Sequence, residues 1–113
     1  MHEMSIAEGI LQLLEETARK EQAQRVTAVV LEIGQLASVE VESLRFCFDA
    51  VVRDSVAAGA RLEIIETPGR GWCLDCNQSV ALCEKLSGCP ICGSFSVQVT
   101  GGTEMRVKEL EVE

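Results

Sequence analysis

From Ser5 to Lys20 the chain places Ile6, Ile10, Leu13, Leu14 and Thr17 on one helical stripe, the spacing of an amphipathic helix. Ser5 and Glu8 have the spacing of a capping box. On the other face Glu15 with Arg19 and Glu16 with Lys20 form pairs in the favourable orientation, a solvated surface. Arg25 to Ile33 is rich in Val and Leu at odd and even positions alike, which predicts a central strand buried on both faces and ended by Gly34. A second helix begins near Ser38. Glu40 and Glu42 fall in its first turn, where carboxylates favour the positive helix end, and its stripe is Val41, Leu44, Phe48, Val51 and Val52. Cys47 lies on that stripe and is expected to be a buried thiol.

Gly59 precedes a strand over Arg61 to Glu66, in which Leu62 and Ile64 alternate with charge, and Pro68-Gly69-Arg70-Gly71 reads as a hinge. Strand-like sequence resumes at Phe95 to Val99 and, after Gly101-Gly102, at Met105 to Val112. In that last segment Met105 and Val107 share one parity and Leu110 and Val112 the other, so a bulge near Lys108-Glu109 is expected. The fold class is α+β: two helices on one face of a small mixed β-sheet, with a zinc-ribbon-like four-cysteine knuckle domain inserted. The expected domains are 1–70 plus 95–113, and 71–94.

Composition narrows the function classes. A chain of 113 residues with 47% hydrophobic content builds one compact core, and 18 acidic against 10 basic residues give a net charge of −8. Such a surface repels phosphate backbones and argues against nucleic acid as a partner. The opening Met-His-Glu-Met-Ser lacks the basic and apolar regions of a secretory signal, and no apolar run reaches membrane-spanning length. A cytoplasmic location is expected, without membrane association. In a reducing compartment six cysteines point to metal or redox chemistry before disulfides.

Cys73-Leu-Asp-Cys76 and Cys89-Pro-Ile-Cys92 are two CxxC pairs separated by a loop long enough to bring them together. Each pair offers two thiolates at adjacent corners of a tetrahedron, so Zn(II) is the expected ion. Gly88 and Gly93 flank the second pair with permissive backbone. The competing reading is a redox CxxC, but neither pair opens a helix after a strand. Four thiolates close the coordination sphere, which makes the zinc structural and not catalytic. Cys83, between the pairs, is expected to be a spare thiol.

Met1, His2 and Glu3 form a second candidate site. The Met1 terminal amine, backbone amides and the His2 imidazole can chelate one ion in fused rings, a nitrogen-rich arrangement that suits Ni(II) or Cu(II). The alternative is an unremarkable frayed terminus. His2 is the only histidine, and Glu3 adds a carboxylate. With no second histidine and no Ser-His or Cys-His pairing, the chain has no catalytic constellation, and it is not expected to be an enzyme. A zinc-ribbon module for protein interaction or nucleic-acid binding is the other reading, although the loop offers only Arg70, Lys85 and Trp72 for it.

Met1-His2-Glu3, the following helix, the strand from Val26 ending Glu-Ile-Gly34, Phe46-Cys47-Phe48 and the two CxxC pairs together resemble the HypA/HybF family of hydrogenase nickel-insertion accessory proteins. The resemblance spans essentially the whole chain. It implies a metallochaperone carrying Ni(II) as transient cargo, with His2 the primary ligand, Glu3 in the same motif and structural zinc on the four cysteines. Glu40 stands where the family often has an acidic residue near the nickel end; as a residue it reads first as a helix N-terminal carboxylate. The implied partners are a maturation GTPase of the HypB type and a hydrogenase large-subunit precursor, with urease maturation proteins for some members. The expected assembly is a monomer or weak homodimer.

Overall fold

The computed structural model describes residues 2–113. In chain order the elements are α1 (Glu3–Lys20), β1 (Val26–Gly34), α2 (Val41–Val51), β2 (Arg61–Thr67), β3 (Arg70–Cys73), β4 (Gln78–Ala81), β5 (Val97–Gly101) and β6 (Met105–Val112). The α+β class is the one expected. The strands form two three-stranded sheets, ordered β2-β1-β6 and β4-β3-β5. As the apolar run predicted, β1 is a central strand, with Val26 and Ala28 to Leu31 all buried.

The chain divides into two compact units, one of Met1–Leu31, Val39–Ile64 and Val107–Glu113, the other of Glu32–Ser38 and Ile65–Arg106. In the first unit α1 packs against α2. Its helical core positions are Ala7, Leu14 and Ala18 on α1 and Leu44 and Phe48 on α2. Leu13, placed on the buried stripe by sequence, is 45% exposed. The buried face of α1 is thus centred on small Ala7 and Ala18 beside Leu14, and not on the largest apolar side chains. Cys47 is half-buried and not the fully buried thiol expected.

Both helix starts differ from expectation. α1 begins at Glu3 with His2 as its N-cap, and the His2 side chain makes no capping hydrogen bond. The Ser5–Glu8 capping box therefore does not operate, because Ser5 already lies inside the helix, whose first bond runs from the Ile6 N–H to the His2 carbonyl at 3.2 Å. α2 is capped by Glu40 and not by Ser38: the Glu40 carboxylate accepts from the Ser43 N–H at 2.8 Å. Ser38 has φ of 62°, a left-handed conformation unsuited to an N-cap. Replacing Glu40 by alanine should lower stability by about 1 kcal/mol through loss of this cap, read as a fall in the urea midpoint of helical far-UV dichroism.

The second unit reaches beyond the 71–94 insertion expected from sequence. Half of the supposed hinge, Arg70 and Gly71, is strand, and β3 pairs antiparallel both with β4, Trp72 opposite Ser79, and with β5, Trp72 opposite Gln98. Pairing with β5 draws residues 95–106 into this unit, and Leu36 brings in 32–38 by joining its small core with Cys73, Val80, Leu82 and Cys89. β5 starts at Val97, and Phe95, expected in the strand, precedes it and is 79% exposed.

At the edge of this unit three backbones meet with no room for side chains. The Gly34 N–H donates to the Glu104 carbonyl at 2.7 Å and the Leu36 N–H to the Gly102 carbonyl at 2.6 Å. A Cβ on Gly34 would lie 2.0 Å from the Gly102 oxygen. Gly102 itself has φ of +90°, and a Cβ there would lie 2.5 Å from the Gly69 Cα, so glycine is demanded by conformation and by space. In β6 the half-buried positions are Val107 and Leu110, one from each of the two parities seen in the sequence.

Candidate metal centre

β3 delivers Cys73 at its end, and the tight turn to β4 follows, with Asn77 at φ of 59° and its N–H on the Cys73 carbonyl at 2.8 Å. A left-handed residue there is tolerable for asparagine, and the turn leaves Cys76 facing back toward Cys73, whose sulfur accepts the Cys76 N–H at 3.3 Å. The second pair is built alike. The Cys89 sulfur accepts N–H groups from Ile91 at 3.4 Å and Cys92 at 3.5 Å, and Gly93, at φ of +78°, turns the chain away.

The four sulfurs of Cys73, Cys76, Cys89 and Cys92 lie within 4.8 Å of one another. Across the two pairs, Cys73 to Cys92 is 3.7 Å and Cys76 to Cys89 is 3.8 Å. Sulfurs at the corners of a tetrahedron about 2.3 Å from a central zinc stand about 3.8 Å apart, whereas a disulfide requires about 2.05 Å. The donor set and its spacing thus fit a structural zinc ion, which when bound supplies cross-linking of the two pairs. Among the described residues no fifth donor belongs to the group, and Cys83 lies outside it, exposed.

Four thiols this close cannot all ionise unaided. The Cys76 thiol is pushed up to about 12, chiefly by the hydrogen bond it shares with the Cys92 sulfur and then by burial. Cys89 is drawn down to about 7 because the Cys92 backbone N–H, above all, stabilises its thiolate. A divalent cation reverses the upward push, and its binding releases protons.

In the other unit Glu3, one of the residues singled out near the terminus, meets a residue from far along the chain. The Glu3 carboxylate accepts the Glu40 N–H at 3.2 Å, which brings the first turn of α1 to the cap of α2. That bond is the main reason the Glu3 carboxyl titrates below the usual range. A depressed carboxyl contributes stability that is present above its unfolded value and lost as pH falls through the folded one, so the contact opens in acid. His2 is exposed at the α1 cap, while Met1 and its amine lie outside the described residues. Glu3, Glu40 and Glu42 thus sit where two helix N-termini present partial positive charge, which they offset.

The family model described as hydrogenase/urease nickel incorporation, metallochaperone, HypA matches residues 1–112. The chain belongs to the HypA family. It is 68% identical over 113 residues to the hydrogenase maturation factor HypA of Azotobacter chroococcum mcd 1 and 62% identical to that of Dechloromonas aromatica (strain RCB), covering all of each. The solution structure of the nickel metallochaperone HypA from Helicobacter pylori superposes with a TM-score of 0.70 at 31% identity, over 99% of this chain and 97% of that one. HypA proteins are nickel metallochaperones of hydrogenase maturation, as the whole-chain resemblance implied. Among the described residues no helix is long and apolar enough to cross a membrane.

Proposed function

We infer that this HypA chain carries Ni(II) at its amino terminus, held by the Met1 amine, backbone amides and His2, with Glu3 in the site, and delivers it to a hydrogenase large-subunit precursor in the cytoplasm. A maturation GTPase of the HypB type is the partner in that delivery, and urease maturation proteins are further recipients. The chain acts as a carrier and not as an enzyme. The observation that carries the reading is the placement of the only imidazole, exposed at the α1 cap, next to the Glu3–Glu40 contact. A terminus without a preformed cage releases what it binds, as delivery requires.

Glu40 enters this picture through its backbone and its cap. Its carboxylate is occupied with Ser43 and its N–H with Glu3, which supports its reading as a helix N-terminal carboxylate in the absence of cargo. The second reading, a protein-interaction ribbon, gains from Leu74, Ile91 and Phe95, which stand 54%, 63% and 79% exposed around the cysteine pairs. A partner-binding surface there is compatible with delivery of nickel.

His2→Ala separates the two. Nickel binding by equilibrium dialysis should fall at least about tenfold, since loss even of a partner that only orients a ligand costs about 10–100-fold, with zinc content and helicity unchanged. Nickel binding equal to the wild type in His2→Ala would move the cargo site away from the terminus and leave the interaction reading.

A further inference from the structure

The two cysteine pairs sit on separate turns, and a side-chain hydrogen bond outside the sulfur cluster spans them. Asp75 lies inside the first pair, between Leu74 and Cys76; Ser94 follows the second pair by one glycine. The Ser94 hydroxyl donates to the Asp75 carboxylate. Ser94 is tied in on every other side. Its hydroxyl oxygen accepts the Ser96 N–H at 3.0 Å, and its carbonyl accepts the Cys89 N–H at 2.7 Å. Ser96 in turn accepts the Leu74 N–H at 2.9 Å. One serine thus connects the start of the second ligand pair with the middle of the first.

We propose that Asp75 and Ser94 form a latch that sets the two cysteine pairs in register for zinc, both acting as positioning residues and neither as a ligand. Three considerations lead there. Zinc on four thiolates carries two net negative charges, so a carboxylate inside a CxxC pair is electrostatically adverse unless it is engaged. Asp75 is engaged, by the hydroxyl of the other pair. Second, the Ser94 hydroxyl, itself held by the Ser96 N–H, joins a residue beside the second pair to one inside the first, so this side-chain bond resists separation of the two turns. Third, hydrogen bonds of this outer kind hold ligands in the geometry that the metal demands, and their loss costs about 10–100-fold in metal affinity. The latch bears on the zinc centre alone and stands whether or not nickel binds at the terminus.

The test uses the zinc-loaded full chain, with release timed by a chromophoric chelator in excess. Asp75→Ala and Ser94→Ala should each release zinc about tenfold faster. The double variant should be no faster than either single one, because each substitution breaks the same bond. Asp75→Asn keeps an acceptor for the Ser94 hydroxyl while removing the charge, and should release no faster than the wild type. In the cobalt-substituted forms the thiolate charge-transfer band should keep its intensity throughout, since all four ligands remain. Wild-type release rates in the alanine variants would overturn the proposal. So would a double variant as fast as the product of the single effects, or Asp75→Asn matching Asp75→Ala.

Discussion

Stripping the zinc should unfold the Glu32–Ser38 and Ile65–Arg106 unit while helices α1 and α2 persist. The small core there consists of Leu36, Cys73, Val80, Leu82 and Cys89, with Cys76 and Val97 against it. Three of those seven side chains belong to the four-cysteine group that fits zinc, so without the metal four aliphatic residues must order the whole unit. That is too few to offset its conformational entropy. Structural zinc on four thiolates supplies about 10–16 kcal/mol in zinc-finger peptides at neutral pH, a contribution large enough to fold a unit of this size. The sole tryptophan, Trp72, reports on it directly, since β3 delivers Cys73 next in sequence. Treatment with a strong chelator should change Trp72 fluorescence and leave the helical far-UV dichroism largely intact. Because thiols must lose protons to bind, acidification should produce the same separation of signals as pH falls below neutral. Simultaneous loss of both signals would mean that the helices depend on the metal too.

Gly34→Ala should be the most damaging single methyl addition in the chain. The new carbon would meet the Gly102 carbonyl oxygen at 2.0 Å and the Thr103 nitrogen at 2.6 Å, both backbone atoms, the oxygen already accepting the Leu36 N–H. Neither can turn aside as a flexible side chain would. The cost should reach about 3 kcal/mol or more, the upper end for overpacking, seen as a lowered urea midpoint in Trp72 fluorescence. Gly9→Ala is the matched control. Nothing lies within 4 Å of the added carbon there, and the site is inside α1. Alanine in a helix interior should stabilise by about 0.5–1 kcal/mol. Equal effects at the two glycines would contradict the close crossing of backbones at Gly34.

What could be read ahead of the structure was whatever local spacing encodes. The CxxC pairs were legible because tetrahedral thiolate sites leave few workable spacings, and β1 because a strand buried on both faces is apolar at odd and even positions alike. The central place of β1 in its sheet followed from the same pattern. Long-range pairing was not legible. Nothing local in Val97 to Gly101 says that it will join β3, so the extent of the zinc-bearing unit was underestimated at both ends. The helix starts were misjudged for a related reason. Ser5 and Ser38 are good capping residues, but the helix begins before the first, and a left-handed backbone occupies the second. Glu40 took the capping role instead, and the Glu3–Glu40 bond, between residues 37 apart, left no trace in either helical pattern. Leu13 shows the limit of reading stripes by size: Ala7 and Ala18 are buried, and the larger leucine faces out.

The central claim is that nickel is chelated through the terminal amine and His2. Nickel calorimetry on the untagged chain, set against a chain extended at its amino end by a histidine-free peptide, tests it most directly when run in two buffers of different ionisation enthalpy. Both donors must be neutral to bind, so the untagged chain should release protons on binding, give a buffer-dependent heat and weaken as pH falls. The extension converts the amine to an amide that offers no such lone pair, and its nickel affinity should drop sharply while zinc content stays the same. Equal affinity in the extended chain, or a heat independent of buffer in the untagged one, would contradict a terminal chelate and place the nickel elsewhere on the molecule.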